Sequence, residues 1–245
     1  MTRVEMRYVD LTLPTPAENL ALDEALLDEA EACGEPLETL RLWESPEPIV
    51  VVGRSSQIAV EVRRDECRRL GVPIVRRVSG GAAIVAGRGC LMYALVLSYR
   101  RRPELRSLGQ AHRSVLGMLI GAIRRHAPGV HCCGTSDLAL DGRKFSGNSV
   151  RCHREHLLYH GTLLYDFSLR LVEKCLAMPP RTPDYRAGRS HGQFLTNLPM
   201  TGQTLRGLLR EGCGADRAIE DWPAARTARL VAEKYGRPEW NDPVP

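Results

Sequence analysis

The strongest constraint on the fold is a set of short aliphatic segments that are joined to one another in two different ways. Buried strands are predicted by runs of Val, Ile and Leu at residues 49–53, 72–78 and 91–97. A predicted hairpin over 136–151 joins two further strands through an Asp141-Gly142 turn, whereas segments with helical spacing of apolar residues join others. Since hairpins make antiparallel pairs and helical crossovers make parallel ones, this order predicts an α+β fold with a mixed β-sheet flanked by helices.

The remaining elements follow from periodicity and from turn residues. Thr15 is a candidate N-cap and Pro16 suits the first turn of a long first helix, while a second helix is predicted over 59–71 and ends at Gly71. Further helices are predicted at 105–126, 167–177, 202–212 and 223–235. Further strands are predicted at 5–11, 38–44, 48–54 and 156–166. The chain has no internal repeat and no obvious linker, which predicts one domain with a short helical tail.

Composition excludes several classes of protein. No apolar run approaches the about 18 residues that a membrane span needs, and no secretory signal precedes the first strand, so a soluble cytoplasmic protein without membrane contact is expected. The eight cysteines are then expected to be reduced thiols. The net charge is +5, but the arginine pairs are scattered and no nucleic-acid-binding signature accompanies them. A small anionic ligand or an acidic protein partner is predicted rather than a nucleic acid.

A glycine-rich segment, "RRVSGGAA", follows one predicted strand. Paired glycines allow backbone N–H groups to approach an anion, and a guanidinium can donate two hydrogen bonds to a carboxylate or phosphate. The candidate ligand-binding residues of this segment are Arg76, Arg77, Ser79, Gly80, Gly81 and Ala82. Neither the P-loop spacing nor the dinucleotide fingerprint is met. A simple glycine turn with surface arginines remains the alternative for this segment alone.

The hairpin "SDLALDGRKFSGNSVR" carries the second candidate site. Lys144 follows the turn, and the small residues Ser146 and Gly147 come next, where larger strand formers would pack better. Asp137 lies on the neighbouring strand, where its carboxylate could accompany a divalent cation bound to phosphates. The alternative is an exposed strand lysine. Together with the glycine-rich segment, the hairpin predicts a site for an anionic, phosphorylated or adenylated ligand.

A third candidate lies in "HLLYHGTLLYD", where His160, Gly161 and Thr162 interrupt an apolar strand; a satisfied core histidine is the alternative. A metal site is suggested by the group Cys132, Cys133, Cys152, His153 and His156. However, the spacings in this group match no familiar zinc pattern, so no structural zinc is expected.

The order of four segments is more specific than any one of them. The succession "ENLALDEALL", "RRVSGGAA", "SDLALDGRKFSGNS" and "HGTLLYD" resembles the catalytic domain of lipoate-protein ligase A, within the wider biotin/lipoate ligase and octanoyltransferase family. The resemblance covers about residues 15–200. It implies a class II aminoacyl-tRNA synthetase-like fold, with residues 1–200 as the ligase-like catalytic domain and 201–245 as a short helical extension of it. The C-terminal accessory domain of longer ligases does not fit in the residues that remain, so a compact form or a separate accessory subunit is implied.

The resemblance also implies an activity. ATP, with Mg²⁺, and lipoate or octanoate would give an acyl-adenylate, and a lysine of a lipoyl carrier domain would then displace AMP. The carriers of the family are E2 subunits of 2-oxoacid dehydrogenases and the glycine cleavage H protein. By this likeness Lys144 is the essential lysine that grips the acyl carboxyl and the α-phosphate. Arg76, Ser79, Gly80 and Gly81 match the ligand-contacting loop, Asp137 the magnesium-associated acid, and His160, Gly161 and Thr162 the strand beside the acyl pocket.

Two departures from the family pattern leave alternatives open. Ala82 replaces a usual third glycine, and Ala86 to Cys90 reads "AGRGC" where the family has a His-Asp pair followed by Gly-Asn. One alternative is an octanoyltransferase that uses a cysteine thioester without ATP, for which Cys132 or Cys133 is the candidate nucleophile. The other is a member without catalytic activity that binds lipoyl groups or carrier domains.

Overall fold

The computed structural model describes residues 6–242. Its strands are β1 Arg7–Asp10, β2 Thr39–Trp43, β3 Ile49–Val52, β4 Ile74–Arg76, β5 Ile84–Ala86, β6 Cys90–Ser98, β7 Val130–Cys133, β8 Asp137–Leu140, β9 Arg143–Cys152, β10 His156–Leu164 and β11 Arg217–Ala218. Its α-helices are α1 Pro16–Cys33, α2 Ile58–Glu61, α3 Arg64–Arg69, α4 Leu108–Ile123, α5 Leu169–Cys175, α6 His191–Phe194, α7 Gly202–Cys213, α8 Ala224–Leu230 and α9 Pro238–Asn241. A π-helical turn, Val231–Tyr235, continues α8. The start of the predicted opening strand, at Glu5, lies outside the described residues.

Eight strands form one large mixed sheet, in the order β11-β1-β2-β6-β10-β9-β8-β7. The pairs that β1 makes with β11 and β2 are parallel, and the pairs from β2 through to β7 are antiparallel. The predicted α+β class with a mixed sheet is therefore confirmed. One face of this sheet packs against α1, where Leu158 of β10 lies among Leu22 and Leu26, and Tyr159, on the opposite face of the same strand, contacts His112 of α4.

A second sheet of three strands, β4-β3-β5, separates from the first. The sequence predicted one strand after the glycine-rich segment, but β5 and β6 belong to different sheets. The chain turns between them at Gly89, whose φ is 84° and where a Cβ atom would lie 2.1 Å from the backbone carbonyl of Asp166. The small sheet thereby places the glycine-rich segment, residues 76–83, beside the large one.

The first helix begins as predicted. The Thr15 side chain accepts the backbone N–H of Glu18, and the Glu18 carboxylate accepts the backbone N–H of Thr15, which completes a capping box. The second predicted helix is wrong in its continuity, because it is broken into α2 and α3. At the break, Val62 forms a β-bridge with Leu176 and the Arg63 N–H donates to the Cys175 carbonyl, so long-range pairing overrides local helix propensity.

The C-terminal helices lie against the rest of the chain. In α9, the Trp240 indole donates to the carbonyl of Arg76, and the Asn241 side chain accepts the backbone N–H of the same residue. Lys234 and Tyr235 both bind the carboxylate of Glu24 on α1. The boundary predicted at residue 200 remains a prediction. Within residues 6–242, none of the helices is long and apolar enough to cross a lipid bilayer.

Candidate active site

A cavity of about 420 Å³ opens where the glycine-rich segment, the β8–β9 hairpin and β10 meet. Its apolar walls are formed by residues that include Leu20, Val51, Val85, Met92, Phe145 and Leu164. The polar groups on its lining include Arg77, Asp137, Lys144, His160 and Thr162. An apolar chamber with a few converging polar groups is typical of a small-molecule site, and this one has the composition to take an acyl chain with a charged head.

Lys144 owes its position to the shape of the hairpin. Asp141 and Gly142 both have positive φ, as the predicted two-residue turn requires. Beyond the turn the pairing shifts by one residue, so that Phe145 is an extra residue on β9 and forms a β-bulge. Phe145 is buried in the core, whereas the Lys144 side chain is 26% exposed and lines the cavity.

Gly147, three residues after Lys144, leaves space for the ammonium group of the lysine. A Cβ atom at Gly147 would lie 2.9 Å from the Lys144 Nζ and 3.0 Å from its Cε. The ammonium therefore lies directly over Gly147, and it is 2.7 Å from the Asp137 carboxylate. The small residue inside the strand is explained by the lysine that folds back over it.

Replacement of Gly147 by alanine is expected to displace the Lys144 ammonium and to lower the rate of the reaction at this site about tenfold. The fold should be retained, because the atom that the new methyl group meets is the far end of a flexible side chain. The matched control is Gly117→Ala in α4, a glycine with open space around it and no positive φ. A Gly147→Ala protein with full activity would contradict this account of the lysine.

The glycine-rich segment is held from within by Arg77. Its buried guanidinium donates to the Ser79 hydroxyl at 3.2 Å and to the carbonyls of Gly80 and Ala82 at 3.1 Å each. Burial lowers the pKa of Arg77 to about 10. On the other side, the Ser149 hydroxyl of β9 donates to the Gly80 carbonyl at 3.0 Å. The segment is thus fixed against β9, with Gly81 and Ala82 exposed at the cavity.

Arg76 is not brought to the cavity. It is buried, and its guanidinium donates to the carbonyls of Gly53, Ser56 and Trp240, at 2.6, 3.0 and 3.0 Å. The guanidinium N–H groups of Arg76 therefore join the small sheet to α9 and are not free to bind a ligand. The role predicted for Arg76 in ligand contact is not favoured by this geometry, and of these two neighbouring arginines it is Arg77 that lines the cavity.

His160 lies in a buried polar chain, of which the sequence predicted only His160 and Ser79 as site residues. Its Nε2 is 2.5 Å from the Ser79 hydroxyl, and its Nδ1 is 3.8 Å from the carboxylate of Asp23 on α1. Asp23 forms an ion pair with Arg41, which is fully buried on β2. The signal for this chain was present, because Asp23 interrupts the apolar positions of α1 and Arg41 interrupts those of β2.

The sequence also did not predict the role of Asn148, which packs against the predicted site residue Gly161. A Cβ atom at Gly161 would lie 2.0 Å from the Asn148 Oδ1, so the carboxamide occupies the space that a side chain would take. Asn148 accepts a hydrogen bond from the Tyr93 hydroxyl and donates to the Ser136 carbonyl at 2.7 Å. It thereby anchors the residue before Asp137.

Of the other predicted residues, Ser146 is buried beside Asn148, and Thr162 lines the cavity.

Each oxygen of the Asp137 carboxylate has one partner. One oxygen binds Lys144, and the other accepts the Tyr185 hydroxyl at 2.8 Å. No group of three or more potential ligands for a metal ion occurs among the described residues. A magnesium ion bound to ATP phosphates needs only one or two carboxylates, so the magnesium role of Asp137 stays a prediction.

All eight cysteines are free thiols. Cys132 and Cys133 lie on β7, a strand that was not predicted, and neither lines the cavity. Partial desolvation raises the pKa of both thiols, although Cys132 is exposed at the surface, and the negative charge of Asp137 raises that of Cys133 further. Both environments suppress the thiolate that a nucleophile needs.

Comparison with known proteins gives a consistent result. The family model of the lipoyl protein ligase A/B catalytic domain matches residues 15–205. A probable lipoate-protein ligase A of Mycoplasma pneumoniae is 31% identical over 175 residues, which are 70% of this chain and 49% of the relative. An octanoyltransferase LipM of Brevibacillus brevis is 23% identical over 97% of this chain and 98% of the relative. The chain spans about half the length of the first of these relatives.

Solved structures match over nearly the whole chain. A lipoate-protein ligase A bound with ATP has a TM-score of 0.83 at 19% identity and covers 98% of this chain and 99% of that one. A bi-partite lipoate protein ligase of Thermoplasma acidophilum, studied with its E2 lipoyl domain, has a TM-score of 0.83 at 20% identity and covers 99% and 98%. These likenesses confirm the predicted fold, and the match of the family model shows that the chain belongs to the lipoyl protein ligase A/B catalytic-domain family.

Proposed function

We propose that this chain is a lipoate-protein ligase, which uses ATP to convert lipoate or octanoate into an acyl-adenylate and then transfers the acyl group to a lysine of a lipoyl carrier domain. The observation that carries the proposal is the composition of the cavity. Its apolar walls end at Lys144 and the glycine-rich segment, and no cysteine lines it within residues 6–242. Such a site can bind an acyl chain and a charged head, but it holds no thiol to form a thioester.

The proposed chemistry has two steps. The carboxylate oxygen of the acid attacks the α-phosphorus of ATP and pyrophosphate leaves; the amine of the carrier lysine then attacks the acyl carbon, AMP leaves, and the amine loses a proton. Negative charge develops on oxygen in both steps. The ammonium of Lys144 lies at the lining of the cavity, where it stabilises that charge, while the apolar walls hold the chain and exclude water.

An octanoyltransferase is the second candidate, and the match to LipM of Brevibacillus brevis over 97% of this chain favours it. The chain covers 98% of the Brevibacillus brevis enzyme but only 49% of the Mycoplasma pneumoniae ligase. The placement of the cysteines argues against it, because Cys132 and Cys133 lie outside the cavity lining and their thiol pKa values are raised.

The likeness to a bi-partite ligase bears on partners. We propose that a lipoyl carrier domain is the acceptor and that a separate polypeptide takes part in the ligase reaction. The name of the similar Thermoplasma acidophilum protein describes a bi-partite ligase, which supports a division of this kind. The expected result is that the separate polypeptide raises the rate of the ligase reaction without being modified.

The proposal is tested by the exchange of labelled pyrophosphate into ATP in the presence of lipoate or octanoate. We expect exchange that requires the acid, and we expect the double variant Cys132→Ser, Cys133→Ser to retain it within about twofold, because neither thiol lines the cavity. The exposed Cys33, replaced by serine, is the matched control. Loss of activity in the double variant alone, together with octanoyl transfer in the absence of ATP, would support the transferase instead.

A further inference from the structure

The segment between α5 and α6 borders the cavity, and we call residues 178–190 the strap; it contains one 3-10 turn, Asp184–Arg186. Pro179, Arg181, Thr182, Pro183 and Arg186 of the strap line the cavity. Tyr185 also belongs to the strap, and its hydroxyl donates a hydrogen bond to the Asp137 carboxylate at 2.8 Å. The strap therefore reaches the same carboxylate that binds Lys144.

The ring of Tyr185 is held on two sides. It packs against Phe194 of α6 with a centroid separation of 5.1 Å. On the hairpin side, a Cβ atom at Gly134 would lie 3.5 Å from the ring. The tyrosine is thus wedged between α6 and the turn that joins β7 to β8, and its hydroxyl has a defined direction.

Arg189 ties the strap to the hairpin that carries Lys144. Its guanidinium donates to the Gly142 carbonyl in the hairpin turn at 3.0 Å and to the Tyr185 carbonyl at 2.7 Å. The same guanidinium lies 5.3 Å from the centre of the Phe194 ring. One side chain therefore holds the hairpin turn, the backbone of Tyr185 and the ring that supports Tyr185 in a single arrangement.

These contacts affect the position of Lys144. One oxygen of Asp137 lies 2.7 Å from the Lys144 ammonium, and the other accepts the Tyr185 hydroxyl at 2.8 Å. The hydroxyl therefore fixes the rotation of the carboxylate, and the carboxylate in turn fixes the position of the ammonium. Burial and the negative charge of Asp137 raise the pKa of the Tyr185 phenol, which keeps its proton and remains a donor.

We propose that Tyr185 is a positioning residue that acts through Asp137 to aim Lys144, so that the lysine is correctly placed only while the strap borders the cavity. The expected effect of Tyr185 on the reaction rate rests on the proposed function, whereas its expected effect on the position of Lys144 does not. It assigns the strap a second role besides forming a wall of the cavity, because Tyr185 connects the strap to Asp137 and through Asp137 to the ammonium.

The test uses the full chain without ligand. The sequence contains only three lysines, Lys144, Lys174 and Lys234. Labelling with ¹⁵N-lysine therefore gives three side-chain ammonium signals. The signal that is missing from the Lys144→Arg variant is that of Lys144. Tyr185→Phe should shift or broaden the Lys144 signal and leave the other two in place. Tyr165→Phe is the matched control, because the Tyr165 hydroxyl donates to Glu44 at the same 2.8 Å and the ring does not line the cavity.

Arg189→Gln is a second variant that leaves the Tyr185 hydroxyl intact, and it should also disturb the Lys144 signal. In pyrophosphate exchange, Tyr185→Phe should lower kcat about tenfold at nearly unchanged KM for the acid, and Tyr165→Phe should change neither. An unmoved Lys144 signal in both strap variants would overturn the proposal whatever the activity. A moved signal in a protein that carries out no exchange would support the positioning role and overturn only the proposed function.

Discussion

Replacement of Lys144 by alanine is expected to slow acyl-adenylate formation about 10²- to 10³-fold, the effect of removing one preorganised charge or donor from a transition state. The ammonium lies at the lining of the cavity, over Gly147 and 2.7 Å from Asp137. Because the side chain is 26% exposed and contributes little to the core, the thermal unfolding midpoint should change by only a few degrees. Single-turnover formation of the adenylate is the measurement.

Lys174→Ala is the matched control for this variant, because Lys174 is an exposed lysine on α5. The two variants remove the same charge from the chain, so a change in long-range attraction for ATP would affect both. A loss confined to Lys144→Ala assigns the effect to the position. An active Lys144→Ala enzyme would contradict the role of the lysine in the proposed reaction.

Replacement of Arg41 by alanine is expected to destabilise the protein by about 3–5 kcal/mol, because removal of one partner leaves an uncompensated buried charge. Arg41 is fully buried and donates to Asp23, to the Leu11 carbonyl and to the side chain and carbonyl of Asn19. The remaining polar neighbour of Asp23, the Nδ1 of His160, is 3.8 Å away. Urea unfolding followed by circular dichroism measures the loss.

The matched control for Arg41 is the exposed pair of Arg64 and Asp242, whose side chains are 43% and 46% exposed. Arg64→Ala should cost less than about 1 kcal/mol, because water solvates both groups once they separate. If the two arginine variants were equally stable, the chain from Arg41 through Asp23 to His160 would not be a structural support of the cavity.

The hairpin of the site is the part that sequence predicts best. Asp141-Gly142 specifies a turn through its local backbone chemistry, and the small Gly147 beside Lys144 indicates a close approach. Neither inference needs information from elsewhere in the chain. The roles of these residues in catalysis remain predictions, since position in a cavity is what the structure establishes.

The features that sequence could not predict depend on contacts between distant residues. Arg76 and Arg77 are equivalent in sequence, but α9 and the Gly53 carbonyl bind the first while the second faces the cavity. The break between α2 and α3 depends on pairing of Val62 with Leu176, and the function of Asn148 depends on the missing side chain of Gly161. Patterns along one segment contain no information about such partners.

The most direct test of the central claim is the intact mass of an apo lipoyl domain after incubation with the purified protein. One reaction contains lipoate, ATP and magnesium, and the other contains octanoyl carrier protein without ATP; a further pair includes the Lys144→Ala variant. The account predicts a mass gain of one lipoyl group in the first reaction, none in the second, and a gain that is about 10²- to 10³-fold slower with the variant. A gain only in the second reaction would contradict it and would identify a transferase that uses a thiol outside the cavity lining.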